Sequence, residues 1–280
     1  MEIRRRILPP GWYPESAQDC RRDISDFDNY IKQFSHQKPE VHGGVIPHAG
    51  WYFSGRLAAL VLSTCAAQFI PDVVALFGGH LGAGPGIIYA DSAWETPLGA
   101  LEMDRELSGA LLEQAPVRRE GPATNDNTVE IQLPLIKHFF PTSRLLALRA
   151  PHSNQAIDIG RLTAELARSQ GKTLLAFAST DLTHYGPNYG FSPKGRGRDA
   201  LDWVREENDQ GFIDLALAMD EPGLLDHAAA HHSACSAGGV AAASAACKSL
   251  GAAQGELLDY YTSADIMPGD SFVGYAGILY

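Results

Sequence analysis

Apolar residues fall along the chain in two rhythms. Four short runs are apolar at nearly every position: Val41 to Pro47, Asp72 to Phe77, Arg144 to Arg149 and Lys172 to Ala178. Runs of this kind predict strands buried on both faces. Between them, apolar residues recur three and four apart. Ser16 to Phe34 places Ile24, Phe27, Tyr30, Ile31 and Phe34 on one face and predicts an amphipathic helix. Gly55 to Phe69, alanine-rich and apolar, predicts a buried helix, and Ser236 to Leu250 a helix of small residues. Asp104 to Gln114, Thr128 to Phe140, Gln155 to Ser169, Asp199 to Met219 and Pro222 to Ala230 complete the helices, with a kink expected at Pro134. Ile87 to Ala90 reads as a short edge strand. Glu256 to Thr262 and Ser271 to Tyr280 read as the last strands, joined by a Pro-Gly-Asp turn.

Apolar strands alternating with helices predict a single α/β domain over residues 1–280, with a mainly parallel central sheet and helices on both faces. No Pro/Ser/Gly linker divides the chain and no repeat is visible. Open α/β sheets bind ligands beyond the carboxyl ends of their strands. His48, His80, His152 and His184 all stand at such ends.

Composition narrows the partners. The 280 residues are 45% apolar and 20% charged, ordinary for a globular chain, and the net charge is −11. That balance argues against a nucleic-acid backbone or an anionic membrane as the main partner. No run approaches the roughly 18 apolar residues of a membrane span. The basic start Arg4-Arg5-Arg6 leads into Pro9-Pro10 without an apolar signal core. Cys20, Cys65, Cys235 and Cys247 are widely spaced, with no CxxC, which predicts free thiols in a reducing cytoplasm.

The chemistry concentrates at the strand-end histidines. His48 and His80 are the stronger pair, because glycines crowd around both. His184 lies three residues after Asp181, which either orients the imidazole or caps the next turn, and His184 itself has the chemistry of an acid or base. Cys235, in His231-His232-x-x-Cys235, precedes a helix, where free N–H groups favour thiolate. Three readings stay open for it: a ligand to zinc, copper or iron, a nucleophile paired with histidine, or a small buried thiol. Asp265 either lines a site or caps a turn. No Walker loop or GxGxxG is present.

Several motifs occur in a fixed order: Pro10-Gly11-Trp12-Tyr13-Pro14, Pro47-His48-Ala49-Gly50-Trp51-Tyr52-Phe53-Ser54-Gly55, Gly79-His80, Thr128-Val129-Glu130-Ile131-Gln132-Leu133-Pro134, Ser179-Thr180-Asp181-Leu182-Thr183-His184-Tyr185, Cys235-Ser236-Ala237-Gly238, and Ser263-Ala264-Asp265 before Val273-Gly274-Tyr275. Together they resemble the Memo family, called AmmeMemoRadiSam system protein B in prokaryotes, almost end to end. The family is similar in fold to class III extradiol (LigB-type) dioxygenases. The resemblance implies a mononuclear metal site on His48, His80 and Cys235, for iron(II) or copper, with zinc as the redox-inactive alternative. His184 and Asp181 then form the acid/base side, and Tyr52, Asn127 and Asp265 the pocket. It implies a small molecule or peptide in the cleft, and radical-SAM and AMMECR-type protein partners. Two positions depart from the family pattern: Asn127 stands where a histidine is usual, in Asn125-Asp126-Asn127-Thr128, and Gly78-Gly79 replaces Pro-Asn before His80. The expected activity is metal-dependent redox chemistry, with metal-assisted hydrolysis or a non-enzymatic binding module as the alternatives.

Overall fold

The computed structural model describes residues 3–34, 40–121 and 126–280, so Asn125 lies outside the described residues. Within them, nine strands form one sheet: β1 (Gly43–Ile46), β2 (Val73–Leu81), β3 (Gly86–Ile88), β4 (Val117–Arg119), β5 (Arg144–Pro151), β6 (Leu174–Ser179), β7 (His184–Tyr185), β8 (Glu256–Thr262) and β9 (Phe272–Leu279). The order is β7-β9-β1-β6-β2-β5-β3-β4, with β8 also paired to β9. The four apolar runs are the parallel centre, β1-β6-β2-β5. Outside it the sheet is mixed: β9 is antiparallel to β1, β7 and β8, and β3 is antiparallel to β5. Thus the parallel expectation holds for the centre, and both flanks turn antiparallel.

Alternation along β2 shows why the centre is apolar on both faces. Val73, Ala75 and Phe77 join one core and Val74 and Leu76 the other. The first core is covered by α3 (Arg105–Gln114), α6 (Gln155–Ser169), α8 (Asp209–Leu217), α9 (Glu221–His231) and α10 (Ala237–Leu250). The second is covered by α1 (Ala17–Ile31), α2 (Arg56–Ala66), α4 (Asn127–Glu130) and α5 (Leu133–Phe139). A short helix, α7 (Arg198–Trp203), leads toward α8. Ile3–Arg4, Ala93–Trp94 and Leu101–Glu102 make a separate three-stranded sheet. Among the described residues no helix is long and apolar enough to cross a membrane.

Two local expectations are corrected. The Thr128 to Phe140 segment is two helices, α4 and α5, separated at Ile131-Gln132. Pro134 sits in the first turn of α5, where a missing N–H costs nothing, so it starts a helix instead of kinking one. The strand after Gly86 is not at the edge, because the charged strand β4 lies outside it.

Helix α10 lies unusually close to its neighbours because its first turns are glycine and alanine. A methyl group on Gly239 would stand 2.7 Å from Phe77 O in β2. One on Gly238 would overlap Pro151 O at the end of β5, and one on Gly160 of α6 would overlap Ala242 O. Backbone therefore meets backbone where the helix starts, at the carboxyl rim of the sheet.

Candidate metal centre

Neighbouring strands β1 and β6 deliver the first group. Ile46 and Ser179 are register partners, so Pro47-His48 and Thr180-Asp181 leave the rim side by side. Asp181 Oδ1 accepts hydrogen bonds from His48 N at 2.7 Å and Ala49 N at 3.2 Å, which fixes the turn. Gln132, from the break between α4 and α5, donates to Pro47 O at 2.7 Å and to Ser179 Oγ at 3.1 Å. Ser179 Oγ faces His48 Nδ1 at 3.4 Å. The other ring nitrogen, Nε2, then points at Cys235 Sγ, 3.1 Å away.

His80 comes from the end of β2. Gly79 before it has φ +103°, a conformation glycine adopts without strain, and its N–H donates to Thr128 Oγ1 at 2.8 Å. The strand's register slips here, and the His80 ring stands edge-on to His48, with centroids 5.2 Å apart. Asp126 Oδ2 lies 3.9 Å from His80 Nδ1 and 3.8 Å from Arg149 Nη1. Cys235 is held by its own N–H, which donates to Asp181 O at 3.2 Å, and by Ser236 N–H, which donates to Thr180 Oγ1 at 3.1 Å.

One donor atom from each of His48, His80 and Cys235 lies within 4.8 Å of the other two. Ligand atoms bound to one ion at roughly 2.0–2.3 Å stand about 3–4 Å apart, so a slight closure of the exposed His80 would gather all three. Beside them, His184 Nε2 is buried with no hydrogen-bond partner and lies 3.8 Å from Asp181 Oδ2. Asp181 Oδ2 is also 3.9 Å from His48 Nε2. Burial alone would push the Cys235 thiol up. The charge of His48, its hydrogen bond to Sγ and the neighbouring imidazoles of His184 and His80 reverse this and hold it well below the ordinary thiol value. Burial pulls His48 down, but Cys235 and Asp181 outweigh it and raise it to about 9. His184 is raised to about 10, against its burial, by Asp181 and Cys235. A thiolate beside two imidazoles, with one buried nitrogen left unpartnered, is a donor set suited to a borderline or soft metal ion.

The remaining candidates divide. Asn127 lines the cavity of about 460 Å³ in front of His48 and His80, and its Nδ2 reaches His48 O at 3.4 Å. Trp12, Asp181, His184 and Tyr275 line it too. Tyr52 does not: it is 72% exposed and borders an adjoining groove with Pro10, Trp12 and Trp51. Asp265 does not line the cavity either, because both its oxygens bind Arg205 Nη2 at 2.7 Å and one caps Thr262 N at 2.8 Å. His152 gives Nε2 to Leu225 O at 2.8 Å. His231 and His232 are exposed at the end of α9 and stand outside the donor group.

Sequence reasoning passed over Asp126, Gln132, Ser179 and Glu130. Glu130 is fully buried and accepts from Ile7 N, Leu8 N and Tyr13 Oη at 2.9 Å each, and from Ile7 N again through its other oxygen at 3.0 Å. It ties the amino-terminal arm, which carries Trp12, against the site. A polar residue repeated through an otherwise apolar segment, as in Val129-Glu130-Ile131-Gln132, was the available signal.

Comparison with known proteins agrees over nearly the whole chain. The profile of the family described as Memo-like protein matches residues 6–279. A MEMO1 family protein of Methanosarcina acetivorans is 30% identical over 286 residues, covering 100% of this chain and 99% of that protein. One from Methanosarcina barkeri is 33% identical, covering 99% of each, and one from Methanopyrus kandleri is 34% identical, covering 85% and 82%. A solved structure of an uncharacterized Escherichia coli K12 protein overlays with a TM-score of 0.47 at 13% identity, covering 79% of this chain and 92% of that one. With the family profile spanning the sheet, its helices and the His48, His80 and Cys235 positions alike, the chain belongs to the Memo-like protein family.

Proposed function

We propose that this protein binds one transition-metal ion through His48, His80 and Cys235 and uses it in redox chemistry on a small molecule. The supporting observation is the convergence of three donors within 4.8 Å at the carboxyl rim of a parallel sheet, beside an unpartnered His184 nitrogen. A thiolate among the ligands favours iron(II) or copper over a hard cation. Either ion, when bound, supplies one-electron chemistry or a site for dioxygen.

The chain's own residues set the stage for it. Ser179 and Gln132 hold the His48 ring so that Nε2 faces the centre. Asp181 spends one oxygen on the His48 turn and keeps the other beside two imidazoles. It therefore acts as the orienting carboxylate, and His184 as the group that takes or gives a proton at Nε2. Trp12 and Tyr275 line the cavity in front of these groups. Radical-SAM and AMMECR-type proteins are the partners the family resemblance implies. The four free cysteines support a cytoplasmic setting.

Anaerobic purification followed by elemental analysis tests the reading. Stoichiometric iron or copper in the wild type, lost in Cys235→Ala, is the expected result, with dioxygen consumption as the next assay. Zinc in its place would move the assignment to metal-assisted hydrolysis, with His184 activating water. No metal in either folded protein would overturn the centre and leave a binding module.

A further inference from the structure

The His80 ring has its own carboxylate behind it, and the hydrogen bonds of that carboxylate decide which ring nitrogen carries a proton. The donors can be followed one at a time. The Gly79 N–H donates to Thr128 Oγ1 at 2.8 Å. That hydroxyl keeps its own proton for Asp126 Oδ1, to which it donates. Thr128 N donates to the same oxygen at 3.0 Å. The other oxygen, Oδ2, stands 3.8 Å from Arg149 Nη1 and 3.9 Å from His80 Nδ1. Thr128 and Arg149 both present donors, so Asp126 is an ionised acceptor.

Burial makes this arrangement firm. The Asp126 side chain is 3% exposed, and a carboxylate so placed needs a cation beside it. Arg149, 7% exposed, is that cation. Its Nη2 lies 3.5 Å from Glu120 Oε1, and Glu120 Oε2 pairs with Arg4. Charges thus alternate along Arg4, Glu120, Arg149 and Asp126, and the row ends at His80. The two glycines before His80 make room for it. A methyl on Gly78 would stand 2.4 Å from Thr128 Oγ1, and one on Gly79 2.4 Å from Arg149 Cβ.

An imidazole nitrogen facing an anionic oxygen is favoured with its proton on and disfavoured with its lone pair toward it. Nδ1 of His80 is the nitrogen so placed. The two ring nitrogens point away from each other, which leaves the lone pair on Nε2. Histidine free in water prefers the opposite form, with the proton on Nε2.

We propose that Asp126 is a positioning residue that holds neutral His80 in its Nδ1–H tautomer and reserves the Nε2 lone pair for the cleft. The tautomer belongs to the chain and needs no ion. Only its consequence, that Nε2 is the atom His80 gives to a metal, rests on the metal-centre reading.

The test is proton–nitrogen correlation NMR on chelator-treated protein with isotope-labelled imidazole nitrogens, at a pH where the His80 ring is neutral. His80→Gln identifies its signals among the ten histidines. The wild type is expected to show a protonated Nδ1 and a bare Nε2. Asp126→Asn is expected to reverse this. Its carbonyl keeps the Thr128 bonds, its N–H group faces Nδ1 in place of Oδ2, and the proton moves to Nε2. Asp126→Glu keeps the carboxylate and should restore the wild-type form. Zinc binding, measured alongside, should weaken roughly 10- to 100-fold in Asp126→Asn and far less in Asp126→Glu. An Nε2–H tautomer in the wild type overturns the proposal whether or not Asp126→Asn folds. So does an unchanged tautomer in folded Asp126→Asn, even with stability lost, because that is what a purely structural Asp126 gives. A tautomer reversed by Asp126→Asn in a protein that takes up no zinc upholds the proposal and overturns only the metal centre.

Discussion

Replacing Asp181 by asparagine separates what its two oxygens do. Oδ1 accepts from His48 N and Ala49 N, and the asparagine carbonyl keeps both bonds. Oδ2 lies 3.9 Å from His48 Nε2 and 3.8 Å from His184 Nε2, and the amide removes its charge. Unit charges at such a distance interact by about 4 kcal/mol at an effective dielectric near 20. The His184 side chain is 36% exposed, so solvent screens part of this, and about 1–3 kcal/mol is the expected remainder. That corresponds to metal binding weakened roughly 10- to 100-fold, the usual scale for losing a carboxylate behind a ligand. The assay is anaerobic zinc competition against a chelating indicator, with urea unfolding of the metal-free proteins alongside. Unfolding of the metal-free Asp181→Asn protein should itself shift by about 1–3 kcal/mol, because Oδ2 also faces the raised His48 and His184 imidazoles when no ion is bound. Asp181→Ala should cost about 2–4 kcal/mol, because two buried N–H groups lose their acceptor. Zinc affinity unchanged within about twofold in a stable Asp181→Asn protein would refute an electrostatic role for Oδ2.

Three further outcomes are expected. Glu130→Gln sets an amide donor against the Ile7 N–H and should cost about 2–4 kcal/mol in urea unfolding, with faster proteolysis near Pro9-Pro10; a loss below about 0.5 kcal/mol would show that the arm is not held by this carboxylate. Asp209 is buried and raised by desolvation to about 6, against hydrogen bonds from Thr183 and Tyr260 that lower it. A carboxyl raised on folding contributes stability that is full below its unfolded value and is lost as pH rises through its folded one. Wild-type stability should thus fall relative to Asp209→Asn by about 3 kcal/mol between roughly pH 4 and 6, and parallel pH profiles would contradict this. Gly239→Ala gains about 1 kcal/mol of helix propensity but forces a methyl to 2.7 Å from Phe77 O, so a net loss of about 1–3 kcal/mol and weaker zinc binding are expected; a more stable variant would show that α10 moves freely.

The centre of the fold was legible because each central strand is an uninterrupted apolar run, and such runs have one good home in a covered parallel sheet. β4 escaped notice for the converse reason: Val117-Arg118-Arg119 is mostly charged, and only its pairing with β3 makes it a strand. The α4–α5 break was hidden because apolar spacing continues across it, and the Gln132 side chain that uses the break reaches residues 47 and 179, far away in sequence. His48, His80 and Cys235 could be singled out by strand-end and helix-start positions together with the motif resemblance. Tyr52 and Asp265 belong to the same motifs, but spacing cannot say which way a ring turns or that Arg205 claims a carboxylate first. Glu130 reads as an ordinary helical glutamate until the arm from residue 7 folds over it.

The contact between α10 and the ends of β2 and β5 also sets a mechanical limit. Side chains between two elements act as springs that rotamers can shorten or lengthen, and here Gly238 and Gly239 leave none. Cys235 stands three residues before Gly238, so it is carried by a helix start that cannot move closer to the sheet. Of the three candidate donors, His80, on its strand end, is the exposed one, and His48 is buried. If an ion is bound there, its three donors would differ in access: one from the exposed end of a strand, one from a buried turn and one from the start of a backbone-packed helix.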